Sequence, residues 1–325
     1  MRALWPRYTF VPIAVFVGWP IYCTVIGERR WELAIIAILG GVMPYVGPRG
    51  KQVFLGILPL GLVAFLYDSM RFVKNVGLSP ETIHVCDLRN LEMQWFGIRM
   101  DGKPATIHDW VQAHPSLPLD VISSVPYGTF LGVAFLFAIF LYFMDYSAMR
   151  RFTAAFFATN VLAFITYHLY PAAPPWYFHA HGCIADLATR ASEGPNLARV
   201  DAWLGVRYFG GFYGRSNDVF GAMPSLHVAY PLLMVLEGYR PFGLLRPWQK
   251  WALRLGSIVF FLWMCAAAVY LDHHWVLDIV CGCLYTLVVF VAIRAVRFFA
   301  LARGDAGIED TGREPIPKAR PESTG

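Results

Sequence analysis

The run "WVLDIVCGCLYTLVVFVAIRAVRFF", residues 275–299, constrains this chain more than any other feature. An apolar stretch of about 20 residues or more is what a helix needs to cross a bilayer. Inside lipid only helices and closed barrels satisfy every backbone N–H and C=O. Seven further runs resemble it: roughly Tyr8–Ile26, Trp31–Val46, Val53–Val73, Val125–Phe143, Phe152–Tyr170, Ser225–Tyr239 and Trp251–Leu271, with the eighth at Trp275–Phe299. The second and sixth are short for spans, and the second carries Gly40-Gly41. Composition agrees: 57% of residues are hydrophobic and 15% charged, against about 25% charged in a soluble chain. The expected fold is an all-α polytopic membrane helical bundle of about eight transmembrane helices. In such a chain the placement of basic residues matters more than the net charge of +5, which gives no reason to expect a nucleic-acid partner. The first run lacks a small-residue cleavage site, so no removable signal peptide is expected. The tail "GDAGIEDTGREPIPKARPESTG" is polar and rich in Pro and Gly, and is expected to be disordered.

Threaded up and down, the eight runs send short, basic connections to one side: Arg49, Lys51, Arg150, Arg151, Arg240, Arg246, Lys250, Arg294 and Arg297. Two long loops of mixed charge, about Lys74–Ser124 and Pro171–Pro224, fall on the other. The positive-inside rule assigns the basic connections and both termini to the cytoplasm, and the long loops to the non-cytoplasmic face. Within those loops, Ser79-Pro80 reads as a helix start, followed by Leu88, Leu91 and Trp95 at helical spacing. "TIHDWVQAH" reads as a second short helix. They would cap the bundle or gate a substrate.

The threading gathers "YPAAPPWYF", "MPSLH" and "HHWVLD" at the outer edge of the bilayer. His274 and Asp278 are four residues apart, hence on one helix face. A carboxylate there can take the proton of one imidazole nitrogen and leave the other free to attack. His227 arrives on a different helix and could act as a general acid. Backbone N–H groups at a helix start favour an anion, particularly phosphate. Three ionisable groups converging within spans default to function. Two histidines, one carboxylate and an anion cradle suggest phosphoryl transfer through a phosphohistidine.

These residues resemble a known family. "MPSLH" followed by "HHWVLD" is similar to the second and third signature motifs of the type 2 phosphatidic acid phosphatase superfamily. The resemblance is closer to its inositol phosphorylceramide synthase branch, which carries Pro-x-Ala-Pro-Pro-Trp-Tyr, Phe-Gly-Ala-x-Pro-Ser-Leu-His and Tyr-Leu-x-His-His-x3-Asp. The chain reads Pro171 to Tyr177, then Phe220 to His227, then Tyr270-Leu271-Asp272-His273-His274 and Asp278. The resemblance covers about Val53 to Phe299. It implies a six-helix phosphatase-like core (53–300) behind two additional helices (1–52) and ahead of a cytoplasmic tail (301–325). By resemblance His274 is the nucleophile, Asp278 orients it, His227 protonates the leaving group and Ser225 hydrogen-bonds the phosphate. No metal or other cofactor is implied. The substrates would be a phospholipid donor and a lipid alcohol, or water, as acceptor.

The departures matter. Leu226 replaces the superfamily Gly, Ala268 stands where its third-motif Arg belongs, and the first motif's basic residues give way to the Pro-rich element. Arg71 and Arg215 are therefore candidates to clamp the phosphate. Tyr170, Trp176 and Tyr177 are candidates for a substrate-facing, water-excluding lid. In "HAHGC", His179, His181 and Cys183 alternate but give no closed four-ligand set, so no metal is expected. Cys86 and Cys183 both fall in outer loops, where oxidation to a disulfide is permitted. Three functions remain open: a lipid phosphotransferase, a lipid phosphatase, and a non-catalytic scaffold or transporter. A transporter needs polar groups near the midplane, whereas these cluster at one edge.

Overall fold

The computed structural model of the chain describes residues 10–27, 31–73, 76–216 and 218–302. The expected disordered tail beyond 302, both termini, and the first two residues of the expected first helix lie outside them. The elements are α1 (Val11–Phe16), α2 (Gly18–Val25), α3 (Trp31–Gly41), α4 (Pro48–Ser69), α5 (Cys86–Phe96), a hairpin of β1 (Ile98–Met100) and β2 (Lys103–Ala105), α6 (Ile107–Ala113), α7 (Leu117–Met144), α8 (Tyr146–Leu169), α9 (Pro175–His181), α10 (Gly194–Leu204), α11 (Tyr208–Tyr213), α12 (Leu226–Gly238), α13 (Pro247–Tyr270) and α14 (Val276–Ala302). The protein is an all-α integral membrane bundle.

Five of these helices, α4, α7, α8, α13 and α14, are long and apolar enough to cross a membrane, and three shorter apolar helices cover Ile13–Val25, Leu33–Tyr45 and Leu226–Gly238. The first expected run is broken after Phe16. Pro20 lacks the N–H that would bond the Phe16 carbonyl, so the helix cannot run straight through. Helix α7 begins eight residues before the apolar run, because its polar first turns pack into the outer loops. There Asp120 is fully buried and accepts from Arg199 at 2.7 and 3.0 Å and from the Tyr270 hydroxyl at 2.9 Å.

Helix α12 is the hub. It packs against α7, α8, α13 and α14, and Val228, Ala229 and Leu233 are wholly buried. Surrounded by longer helices, it can be short and still lie inside the bundle. Its 13 residues rise about 20 Å, which leaves room above it for a polar site below the outer loops. Those loops form a cap of α5, α6, α9, α10, α11 and the hairpin. The Cys86–Cys183 disulfide joins the two long loops. Trp95 and Leu91 on α5 remain exposed while Leu88 is buried, as an interfacial helix requires. Basic residues gather at the opposite end: Arg151 and Arg240 flank Asp145 at 3.6 and 3.7 Å, and Arg297 donates to Ser147 at 2.9 Å.

Candidate active site

The site is knitted together by backbone. Between the spans, Ala172 N–H donates to Phe220 O at 2.7 Å and Ala222 N–H returns to Ala172 O at 3.1 Å. His84 brackets the same strand, donating to Pro171 O and accepting from Ala173 N–H, both at 2.9 Å. Ala172 and Ala173 are fully buried. Small side chains therefore let the Pro-rich segment lie flat between residues 84 and 220–222. On the other side, Ser225 N–H donates to the Asp278 carbonyl at 2.9 Å. That approach depends on Gly282, one turn later, where a Cβ would stand 2.5 Å from Ser225 O.

The histidines come from the α13–α14 turn. Helix α13 ends at Tyr270 with Leu271 as its C-cap, Asp272 takes a left-handed conformation (φ 65°), and the N–H groups of His273 and His274 both bond Ala268 O at 3.2 Å. Ala268, at the position of the missing arginine, thus serves through its carbonyl. His274 Nδ1 lies 2.9 Å from Ala222 O and 3.5 Å from an Asp278 carboxylate oxygen. A carbonyl can only accept, so Nδ1 carries the proton and Nε2 presents its lone pair. Nε2 lies 2.9 Å from Nδ1 of His227. The expected convergence of His227, His274 and Asp278 is present, with one difference. The Ala222 carbonyl is the nearer partner of Nδ1, while the same Asp278 oxygen accepts Trp275 N–H at 2.8 Å. His227 is fixed by stacking on Tyr127 (4.5 Å, 15°) and by the Tyr213 hydroxyl 3.1 Å from Nε2.

The expected anion cradle is altered in one respect, since Ser225 N–H is taken by Asp278. The Ser225 hydroxyl and the second Asp278 oxygen are buried with no hydrogen-bond partner. Unpaired buried polar atoms are costly, and at this position they fit a site completed by a polar ligand. His273 is occupied otherwise: Nε2–H donates to Glu193 O at 2.6 Å, and burial pushes its imidazole down to about 4.

His227, His273 and His274 open onto a cavity of about 800 Å³. Polar Ser192, Arg215 and Asp218 also line it, and its apolar walls include Phe16, Trp19, Leu60, Leu131, Phe135 and Phe164. Of the two clamp candidates, Arg215 lines this cavity. Arg71 is turned onto Asp68, whose backbone and carboxylate it both bonds. Of the lid candidates, Trp176 lines the cavity. Tyr177 is fully buried within the cap, its hydroxyl donating to Ile184 O at 3.0 Å and accepting Asp186 N–H at 2.8 Å. Tyr170 stacks on His84 at 3.8 Å. Neither tyrosine is on the cavity wall, because each is held by a partner in the cap.

Two elements escaped the sequence reading. Buried Glu92 on α5 accepts the N–H groups of Val276 and Leu277 at 3.0 and 3.1 Å, and so caps the helix that carries Asp278. Burial raises its carboxyl against the lowering effect of those bonds. The second is an ionic chain over the histidine turn. Asp272 is bonded by His108 at 3.0 Å and His179 at 2.6 Å; His179 reaches Asp109 at 3.3 Å, and Arg89 bonds Asp109 at 2.9 Å. Burial opposes the charge on His179, but its bonds to Asp109 and Asp272 push the imidazole up to about 9. Asp109 and Asp272 are both lowered despite burial, by their histidine partners. Of the alternating "HAHGC" residues, His179 is thus an ion-pair partner, His181 packs on Tyr177 and Cys183 is disulfide-bonded.

A sequence profile described as the PAP2 superfamily matches residues 94–292. The chain belongs to that superfamily. Among relatives of this superfamily member, the phosphoinositol dihydroceramide synthase of Bacteroides thetaiotaomicron is 32% identical over 254 residues, covering 78% of this chain and 80% of that protein. The inositol phosphorylceramide synthase of Candida albicans is 29% identical, over 82% of this chain and 53% of that protein. The inositol phosphorylceramide synthase catalytic subunit of Schizosaccharomyces pombe is 28% identical, over 79% and 57%. The chain thus spans little more than half the length of these two fungal relatives. No solved structure gives a significant match. Superfamily membership together with these synthase relatives makes the chain an enzyme, a membrane lipid phosphotransferase.

Proposed function

We propose that the protein moves a phospho-alcohol headgroup from a phospholipid to a lipid hydroxyl through a phosphohistidine on His274, at the non-cytoplasmic face. The relatives' names point to phosphoinositol as the headgroup and to a ceramide as the acceptor. The observation that carries the reading is the commitment of His274 Nδ1 to Ala222 O, which leaves Nε2 as the attacking nitrogen, 2.9 Å from a second imidazole. Ser225 contacts the phosphate, and Arg215 supplies positive charge on the cavity wall. Residues 53–300 form the catalytic unit. The additional N-terminal segment closes part of the apolar wall through Phe16 on α1, Trp19 on α2 and Leu33 on α3. Both termini and the basic connections are cytoplasmic.

Transfer to a lipid rather than to water requires a dry site. Trp176 on the cavity wall and the backbone-sealed Pro171–Pro175 segment supply that. An acceptor arriving from the bilayer is already oriented by its chains, which reduces the entropy cost of a second substrate.

The test uses purified protein and phospholipids labelled in the headgroup phosphate, with and without ceramide or diacylglycerol. The reading expects label on a lipid product only when an acceptor lipid is present, and acid-labile label on the protein that His274→Ala abolishes. Rapid release of soluble headgroup phosphate, unchanged by added lipid alcohols, would identify a phosphatase.

A further inference from the structure

We propose that Tyr213 is a positioning residue for the proton transfers: its hydroxyl holds a proton on Nε2 of His227, so that Nδ1 is the nitrogen that exchanges protons with the substrates. The proposal rests on the phosphohistidine reading and adds a residue to it.

Hydrogen-bond direction in the site follows from one fixed acceptor. Ala222 O accepts from His274 Nδ1–H, so His274 Nε2 accepts and His227 Nδ1 donates across 2.9 Å. The other ring nitrogen of His227 meets the Tyr213 hydroxyl at 3.1 Å. A phenol can donate or accept, so it serves His227 in either protonation state. Burial holds the Tyr213 phenol well above its ordinary range, which keeps it a hydroxyl. The groups facing His227 are Tyr127 from α7, Tyr213 from α11, and His273 and His274 from the α13–α14 turn.

Helix α11 is built to deliver this hydroxyl. Asp201 on α10 accepts the N–H groups of Phe209 and Gly210 at 3.1 and 2.8 Å. The Tyr208 hydroxyl donates to Gly128 O of α7 at 2.7 Å. Tyr213, at the far end, packs edge-on to His273 at 4.9 Å.

The reaction then balances as follows. The cycle requires His227 as imidazolium, a form that burial opposes and the phosphate anion of a bound donor favours, with Nε2–H donated to Tyr213. The Nε2 lone pair of His274 forms the N–P bond while the P–O bond to the donor lipid breaks. The departing oxygen takes the Nδ1 proton of His227 and leaves as an alcohol. His227 is now neutral, with its remaining proton on Nε2 held by Tyr213 and a lone pair on Nδ1. The acceptor hydroxyl gives its proton to that lone pair as its oxygen bonds phosphorus. The N–P electrons return to His274, and the imidazolium is regenerated.

Tyr213→Phe removes the hydroxyl and keeps the ring. The expected loss in kcat is about ten- to a hundredfold, a fraction of a full acid–base contribution. Loss of the acceptor for Nε2–H lowers the pKa of the imidazolium, so the alkaline fall of kcat moves to lower pH. With a donor whose leaving group is a nitrophenol, which needs no proton, the first-step burst returns to within about threefold of wild type. Tyr208→Phe loosens the same short helix without touching His227, so its alkaline limb stays where wild type has it. An alkaline limb and kcat equal to wild type in Tyr213→Phe, with His227→Ala inactive, overturns the role of Tyr213 alone. So does the same limb displacement in Tyr208→Phe, which would make the effect structural. Full activity in His227→Ala overturns the reading beneath it.

Discussion

At the residue scale, the catalytic assignments separate by what each side chain touches. His274→Ala removes the attacking nitrogen, and turnover should fall by about a thousandfold or more while the protein still inserts and folds. Asp278→Asn should cost less, roughly ten- to a hundredfold, because the Ala222 carbonyl still holds Nδ1. His227→Ala should lose activity on natural donors and recover part of it when the leaving group needs no proton. Steady-state rates on both donor classes check all three, and near-normal rates in the His274 and His227 variants together would contradict the roles. His273 is the neighbouring alternative nucleophile, but its Nε2 is spent on Glu193 O, so His273→Ala should retain acid-labile labelling at His274. The convergence of His274 and Asp278 was legible in the sequence from their four-residue spacing, but not as two positions on one helix face: His274 lies in the turn ahead of α14, and Asp278 in its first turn. The partner of Nδ1 was not legible, since a backbone carbonyl leaves no signature in residue identity.

At the element scale, the close approach of α14 to the residue 223–225 loop sets the geometry. Gly282→Ala places a methyl 2.5 Å from the Ser225 carbonyl oxygen, which accepts Ala229 N–H in the first turn of α12. Helix and loop must part, and activity should fall by at least about tenfold with little loss of helical signal by circular dichroism. A fully active Gly282→Ala would show that the loop has slack. The cap is a second element with its own pH response. His179 has a folded-state value of about 9 against an ordinary 6.5. Its pairing therefore contributes stability fully below pH 6.5 and loses it as pH rises through about 9. Melting temperature should be flat at the acid end of that window and decline across it, and His179→Gln should flatten the decline. The apolar runs located the bundle, but not the eight extra residues at the start of α7 or the Glu92 cap on α14. Hydropathy registers what lies in lipid, and those helix ends are held by polar contacts with distant segments.

At the scale of the whole molecule, charge and cap define two ends. Arginines from α8, from the connection after α12 and from α14 gather opposite the histidines, and the disulfide lies in the cap. A cysteine at exposed Ala188 in the cap should react with an impermeant thiol reagent added outside intact cells, and one at exposed Arg150 should not. The reverse labelling would overturn the proposed orientation. Ser192 and Gly211 are poorer probes, because both line the cavity. Since Cys86 and Cys183 are bonded to each other, the background thiols left among the described residues are Cys23, Cys265, Cys281 and Cys283.

The single contact between His227 Nδ1 and His274 Nε2 has a stereochemical consequence. By the phosphohistidine route, the departing alcohol and the incoming one both exchange a proton with the same ring nitrogen. Each must therefore stand in turn at the same apical position, opposite the histidine that holds the phosphorus. Each displacement inverts the phosphorus centre, and two inversions cancel. A donor made chiral at phosphorus by one sulfur and one heavy oxygen should yield a product of the same handedness.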